Sequence, residues 1–242
     1  MNCRLDAHAL LALWERTLGQ GASARDDALL QALPGTAAPR TLGERNTRLF
    51  ALHTLWFGSQ LELLSHCPAC GAAAQFSADC QALAVQAAAS GGVLPSHRLE
   101  VDGHAVEFRL PAPDDIDAAS AALDDEAFVG ELLARCVLAC TRDGRPVAPQ
   151  DLPAPVRAAL SQRMEALDPA ASVSFALECP QCATPWQARL DVGQPLRQKI
   201  QAAAERVLLD VDGLARAYGW TEPEVLRLSP ARRAAYLQLA TA

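Results

Sequence analysis

Three features are scarce or missing in this 242-residue chain: aromatic residues make up 5% of it, lysine occurs once, at Lys199, and long apolar runs are absent. With so few aromatic side chains, a hydrophobic core must be built mainly from Leu, Ala and Val. No apolar run approaches the roughly 18–20 residues that a membrane-spanning helix needs. The start of the chain also lacks the basic segment and apolar stretch of a secretory signal, so we expect a cytoplasmic protein.

The charge balance and the missing motifs exclude further classes. A net charge of −7 at pH 7 disfavours a protein that coats nucleic acid, because phosphate binding needs a basic face. There is no P-loop, no G-x-G-x-x-G and no G-x-S-x-G motif. The five histidines are scattered, and no two have H-x₃-H spacing. We therefore expect neither an enzyme nor a small-molecule substrate.

The chain does contain eight cysteines, which a cytosolic protein keeps reduced. Four of them form two C-x₂-C knuckles: knuckle 1 is Cys67-Pro-Ala-Cys70 and knuckle 2 is Cys179-Pro-Gln-Cys182. A knuckle places two thiolates on one tight turn, where both reach a tetrahedral zinc at about 2.3 Å. One knuckle supplies half of a site, and the second completes a Cys₄ set. We expect these four cysteines to bind one structural Zn²⁺ per chain.

The two knuckles are distant in the sequence, with the 108 residues from 71 to 178 between Cys70 and Cys179. Closing so long a loop is permissible, because the entropic cost of closure grows only logarithmically with length. The free energy of metal binding offsets that cost. Short strand-like segments flank each knuckle, and two such hairpins facing each other form a zinc ribbon.

Three other interpretations of these cysteines compete with the shared zinc site. A CPxC motif also occurs as the redox dithiol of a thiol oxidoreductase, which places it after a buried strand in a βαβ frame. Knuckle 1 could form a local site with Cys80 and His66, in which case the two knuckles would bind metal separately. A catalytic zinc of the deaminase type needs H-x-E and P-C-x-x-C motifs, and the chain has neither.

The remaining candidate residues have structural explanations. Cys136 and Cys140 are four positions apart in a stretch that we interpret as a helix from 125 to 141, so we expect both to be buried on one face. Cys3 and Cys80 carry no further signal. The acidic clusters 114–115 and 124–126 lie where helices should begin, and a favourable interaction with the helix dipole explains them.

Periodicity and capping signals predict an α+β protein that is mostly helical. Thr41 and Glu44 form a capping box, and Asp102-Gly103 suits the tight turn of a β-hairpin. We divide the chain into a helical N-terminal region (1–60), a split Cys₄ zinc ribbon (61–82 and 172–192), an inserted α+β region of a β-hairpin plus helices (83–171), and a helical C-terminal region (193–242).

Two short capped helices are predicted after Tyr218-Gly219-Trp220. They could form a helix-turn-helix that directs Arg227, Arg232 and Arg233 toward phosphate, which would make the chain a nucleic-acid-binding zinc-ribbon regulator. From residue 195 onward, however, seven basic and five acidic residues leave a charge of only +2, which is weak for a DNA reader. We favour a helical hairpin that packs its apolar side chains on the preceding long helix.

Three sets of segments together resemble a known family. They are Leu42–Arg45 and Phe57-Gly58 with knuckle 1, Phe108–Pro111 with Asp114, and knuckle 2 with Trp186 and the 218–222 tail. The set is similar to small zinc-ribbon proteins from the tail gene clusters of contractile phages and phage-like extracellular contractile injection systems, and to the T4-type baseplate protein family. This resemblance implies a non-catalytic component or chaperone in baseplate or tail assembly, whose partners are other tail or baseplate proteins. The four knuckle cysteines are the only functional positions that it carries over.

Overall fold

The fold is α+β and mostly helical, in a computed structural model that describes residues 5–32, 37–88 and 95–240. The helices are α1 (Ala7–Thr17), α2 (Ala22–Leu30), α3 (Leu42–Phe57), α4 (Cys80–Ala88), α5 (Pro113–Ala119), α6 (Asp125–Cys136), α7 (Ala154–Leu167), α8 (Gly193–Tyr218), α9 (Glu222–Arg227) and α10 (Pro230–Ala240). The strands are β1 (Gln60–His66), β2 (Ala73–Asp79), β3 (His97–Val101), β4 (His104–Phe108), β5 (Val137–Arg142), β6 (Arg145–Pro146), β7 (Ser174–Glu178) and β8 (Pro185–Arg189). None of the helices in these ranges has the length and hydropathy to cross a membrane.

The strands form three separate sheets. β1 pairs with β2, β7 pairs with β8, and a four-stranded sheet of order β3-β4-β5-β6 lies between these hairpins in the sequence. Every one of these pairs is antiparallel. The described part of the chain therefore has no parallel strand pair and no βαβ unit around either knuckle.

Local signals set the ends of α3 as predicted. The Thr41 hydroxyl accepts a hydrogen bond from the Glu44 N–H at 3.2 Å, which satisfies one of the unpaired donors of the first turn. The Glu44 carboxylate accepts the backbone N–H of Arg40 at 2.7 Å rather than that of Thr41, so the second bond of the cap lies one residue earlier. At the other end Gly58 has φ +89°, a conformation that L side chains rarely adopt.

The first hydrophobic core joins the beginning and the end of the chain. Helices α1, α2 and α3 pack against α8 and strand β1, with Leu13, Phe50, Leu52, Leu61 and Leu196 fully buried among them. This core explains why the long helix α8 belongs beside the N-terminal helices: its buried stripe is covered by α1, α2 and α3.

A second core lies within the inserted region. The sheet strands β4 and β5 and the helices α6 and α7 bury Val106, Phe108, Leu133, Val156 and Leu160. Because none of these side chains belongs to the first core, the inserted region buries a set of apolar residues of its own.

Polar contacts connect the inserted region to α3. The backbone N–H of Gly43 donates to the Asp168 carboxylate at 2.9 Å, and the Asn46 amide donates to the Ala170 carbonyl at 2.8 Å. A Cβ on Gly43 would lie 1.6 Å from Asp168 Oδ1, so only glycine permits this approach. The N-terminus of α3 thereby fixes the chain just before it enters β7.

The helix that we predicted from 125 to 141 is wrong after residue 136. α6 ends at Cys136, and Val137–Arg142 forms β5, which pairs with β4 and turns at Asp143-Gly144 into β6. Asp143 and Gly144 have φ of +50° and +79°, matching +49° and +73° at Asp102-Gly103, the predicted turn of the β3–β4 hairpin. Asp143-Gly144 is a sequence signal for a turn between two strands. The prediction followed the helical periodicity through Cys140 instead.

The C-terminal helices form the hairpin that we favoured. Gly219 ends α8 in the left-handed conformation, and Thr221 with Glu224 forms the capping box that begins α9. The Trp220 ring meets Tyr236 edge-on at 4.9 Å between centroids, and both contact Tyr218. Aromatic packing therefore folds α10 back toward the end of α8.

Candidate metal centre

Knuckle 1 is a tight turn between β1 and β2. The Cys67 N–H donates to the Ala72 carbonyl and the Gly71 N–H donates to the Cys67 carbonyl, both at 2.9 Å. Gly71 has φ +74°, and a Cβ there would meet no atom within 4 Å. The residue after the second cysteine is thus held in the left-handed region by the turn itself, where glycine has no steric penalty.

Knuckle 2 repeats this turn between β7 and β8. The Cys179 N–H donates to the Thr184 carbonyl at 3.1 Å, and the Ala183 N–H donates to the Cys179 carbonyl at 2.9 Å. Ala183 occupies the position equivalent to Gly71 and has φ +55°. An alanine in the left-handed region costs about 1–2 kcal/mol. The chain keeps the same backbone turn in both knuckles although only one has glycine.

The two hairpins face each other through contacts outside the cysteines. Phe76 of β2 and Phe175 of β7 lie 5.1 Å apart between ring centroids, and Trp186 Nε1 lies 3.4 Å from Ser65 Oγ. Tilted aromatic pairs at such distances stabilise by about 0.5–1.5 kcal/mol beyond their burial. No sequence pattern indicates the Phe76–Phe175 pair, since it depends on how the hairpins are oriented.

This arrangement brings all four predicted ligands together. The Sγ atoms of the four knuckle cysteines lie within 4.8 Å of one another, and none is in a disulfide. Cys67 Sγ lies 3.7 Å from Cys182 Sγ, and Cys70 Sγ lies 3.5 Å from Cys179 Sγ. Four sulfurs on a tetrahedron with metal–sulfur bonds of 2.3 Å are about 3.8 Å apart. The cluster, which we call the clasp, therefore has the dimensions to hold one metal ion.

The thiols of the clasp interact strongly with one another. Hydrogen bonds with the Thr184 hydroxyl and with the Thr184 backbone, together with those to the neighbouring thiols, lower the pKa of Cys182 to about 6. At Cys70 the Ala72 backbone acts in the same direction, but hydrogen bonds with Cys179 and Cys182 outweigh it and raise the pKa to about 12. One thiolate thus opposes ionisation of the next, and a cation between the sulfurs would favour the ionised form of all four. Thr184 is a contributor that the spacing of the cysteines alone did not reveal.

The structure does not place the other proposed ligands in this cluster. Cys80 is fully buried in the first core, where its Sγ lies 3.5 Å from His53 Nδ1, and His66 is exposed at the end of β1. Among the described residues, the clasp is the one group of His, Cys, Asp and Glu side chains close enough to hold a metal. Cys3 lies outside the described residues.

Cys136 and Cys140 are buried, as predicted, but they do not lie on one helix. Cys136 ends α6 and Cys140 lies in β5, and both belong to the second core. Burial raises the pKa of Cys136 to about 12 and also raises the pKa of Cys140. Both are therefore protonated thiols in an apolar environment rather than metal ligands.

The acidic clusters lie at helix starts, as we expected. The Asp124 carboxylate accepts the Ala127 N–H at 2.8 Å and caps α6. Asp115 at the start of α5 forms a two-point ion pair with Arg109, with N–O distances of 2.6 and 2.8 Å. The Arg109 guanidinium lowers the pKa of Asp115. In the Phe108–Pro111 element with Asp114, the partner of Arg109 is thus Asp115, and Asp114 is exposed.

Comparison with known proteins identifies no relative. No protein-family profile, curated protein or solved structure matches the chain. Function must therefore be inferred from the site and the sequence.

One of the three arginines considered for phosphate binding by the C-terminal hairpin is not available on its surface. Arg233 is buried, and its guanidinium donates to the Asp210 carboxylate and to the Leu228 carbonyl, both at 3.2 Å. Arg227 and Arg232 are exposed. Of the three arginines considered for phosphate binding, Arg233 instead anchors α10 on α8.

Proposed function

We propose that this chain is a non-catalytic structural or assembly protein of a phage-tail-like contractile particle, associated with the baseplate and acting through protein–protein contacts. The observation that carries the proposal is the clasp: four thiols within 4.8 Å of one another, supplied by two hairpins 109 positions apart. The resemblance to zinc-ribbon tail proteins supplies the biological setting.

The metal that we propose is one structural Zn²⁺ per chain, held by Cys67, Cys70, Cys179 and Cys182. A tetrahedral set of four sulfurs selects zinc or an iron–sulfur centre, and zinc is the metal of paired C-x₂-C knuckles on β-hairpins. A Cys₄ site leaves no coordination position for water, so the ion would supply folding energy rather than catalysis.

The clasp explains how such a protein would serve assembly. It connects the hairpin that precedes the inserted region to the hairpin that follows it. The Gly43–Asp168 contact also fixes the C-terminal end of the inserted region to α3. The inserted region would then be presented from a rigid base. Partner proteins would bind surfaces that these contacts hold in place.

The test removes the gene in the native host and counts sheathed particles by electron microscopy. The proposal expects fewer or malformed particles, restored by the wild-type gene but not by a gene carrying Cys67→Ser and Cys179→Ser together. Particles of normal number and shape in the deletion strain would contradict it. A pull-down with partners identified by mass then distinguishes a permanent component, which is found in finished particles, from a chaperone, which is not.

A further inference from the structure

Two sulfur–sulfur contacts of the clasp each join an exposed thiol to a buried one. Cys182 is exposed and lies 3.7 Å from the buried Cys67. Cys70 is exposed and lies 3.5 Å from the buried Cys179. Both of these contacts run between the knuckles. An accessible thiol beside a shielded partner is the arrangement by which cysteine pairs respond to oxidants.

The other described cysteines are protected from the same chemistry. Cys80, Cys136 and Cys140 are buried in the two cores. Their sulfur atoms are therefore shielded from an oxidant in solution, whereas those of Cys70 and Cys182 are exposed. An oxidant in solution should therefore act on the clasp before it acts on these cysteines.

We propose that hydrogen peroxide converts the clasp into two disulfides between the knuckles, Cys67–Cys182 and Cys70–Cys179, which hold the hairpins together after the metal has left. The inference rests on the proposed metal site only for the starting state, since the sulfur contacts that decide the pairing belong to the chain itself. The clasp would thus stay closed in both a reduced, metal-bound form and an oxidised, metal-free form.

The chemistry balances in two steps for each pair. The exposed thiol gives up its proton and its sulfur attacks one peroxide oxygen; the O–O bond breaks, the S–O bond of a sulfenic acid forms, and the leaving hydroxide takes up the released proton to become water. The buried thiol then gives up its proton and attacks the sulfenic sulfur; the S–O bond breaks, the S–S bond forms and a second water leaves. Two thiols and one peroxide yield one disulfide and two waters, and the two electrons of the pair reduce the peroxide. A metal ion bound by the four thiolates is released as its ligands are consumed.

Tryptic mapping of the wild-type chain distinguishes disulfides between the knuckles from disulfides within each knuckle. Trypsin cleaves after arginine and lysine, so knuckle 1 falls in peptide 49–98 and knuckle 2 in peptide 164–189. After peroxide treatment we expect the two peptides to be joined, and the intact mass to fall by about 4 Da, two hydrogen atoms for each disulfide. Dithiothreitol should separate the peptides again. Disulfides within each knuckle, or a mass gain from sulfinic acid without joined peptides, would overturn the proposal.

Two sets of variants sharpen the assignment. Peptide 49–98 also contains Cys80, so Cys80→Ala must still give the joined peptides; losing the link there would overturn the proposal. Cys67→Ser/Cys182→Ser keeps the contact pair Cys70–Cys179, whereas Cys67→Ser/Cys179→Ser keeps one cysteine of each pair. Both double variants lack two ligands, so metal loss is matched. We expect faster linking in the first, and equal rates would contradict the pairing.

Zinc measured before oxidation keeps this inference separate from the proposed function. One zinc per chain without joined peptides would leave the metal proposal standing and remove the inference. Joined peptides in a protein that never bound zinc would support the inference and remove the metal proposal. If both hold, zinc released to a chromogenic chelator should rise together with the joined peptides.

Discussion

Cys67 Sγ and Cys182 Sγ lie 3.7 Å apart although 115 positions separate them in the chain. No local rule brings them so close: two hairpins, each with its own turn, must face each other for the contact to form. The relationship makes the clasp a long-range connection within the fold. A substitution in one hairpin should therefore affect the stability of the other hairpin.

Cys179→Ser should abolish metal binding and remove the stability that the metal supplies. The free energy of binding a structural metal is also folding free energy, so the variant should unfold at the same midpoint as wild-type protein treated with a chelator. Metal analysis and thermal unfolding check this. Cys140→Ala, which truncates a buried thiol in the second core, should lose about 1 kcal/mol and keep its metal. If Cys179→Ser keeps both metal and midpoint, Cys179 is not a ligand.

Gly71→Ala and Ala183→Gly should change stability in opposite directions. Both positions have positive φ in the same turn, +74° and +55°, and Gly71 has open space around it, so the effect comes from the backbone alone. We expect Gly71→Ala to cost about 1–2 kcal/mol. Ala183→Gly should gain about 0.5–1 kcal/mol, since relief of strain exceeds the added entropy of the unfolded chain. Denaturant unfolding of the zinc-loaded proteins measures both, and changes of the same sign would contradict the equivalence of the two knuckles.

Asp115→Asn should destabilise the inserted region by about 2–3 kcal/mol at pH 7, because it breaks a charge-assisted pair with Arg109. The pKa of Asp115 is lowered in the folded state, so the unfolded chain takes up the proton first as the pH falls. The pair's contribution is complete above the unfolded pKa of about 4 and is lost as the pH falls through the folded pKa. The penalty of the variant should therefore shrink in acid.

The matched control for this pair is the neighbouring exposed Asp114. Asp114→Asn should change stability by less than about 0.5 kcal/mol at pH 7. Urea unfolding at pH 7 and pH 3 gives the difference in unfolding free energy between Asp115→Asn and Asp114→Asn. Any loss of metal in acid affects both variants and cancels in this difference. An equal penalty at both positions, or a gap that stays constant with pH, would be inconsistent with the ion pair.

Gly43→Ala should weaken the connection between α3 and the inserted region. Its Cβ would lie 1.6 Å from Asp168 Oδ1, and forcing a methyl group into so close a contact costs about 1–3 kcal/mol. Gly130→Ala in α6 meets nothing within 4 Å and should stabilise by about 1 kcal/mol, as alanine does in a helix interior. Hydrogen exchange around Asp168 and Ala170 should rise only in Gly43→Ala. Similar effects of the two variants would count against a specific role for this approach.

Features set by local chemistry could be predicted from the sequence. The capped start of α3 at Thr41, the Asp102-Gly103 turn and the stop at Gly219 depend on residues within one or two turns of each other. The four candidate ligands could be named for the same reason, since each knuckle is a local turn.

Features set by distant contacts could not be predicted in this way. The Phe76–Phe175 contact depends on how the two hairpins pack, which no short pattern records. Residues 137–141 read as helix because Cys136 and Cys140 fit its period, and pairing with β4 outweighed that local preference. The positive φ of Ala183 could not be predicted, because alanine is disfavoured in the left-handed region.

X-ray absorption at the zinc edge, combined with metal analysis of the purified full-length chain, tests the central claim most directly. The account predicts one zinc per chain with four sulfur ligands at about 2.3 Å and no nitrogen or oxygen ligand. Two zincs per chain, a nitrogen ligand, or a folded protein that binds no metal would contradict a single clasp formed by both knuckles.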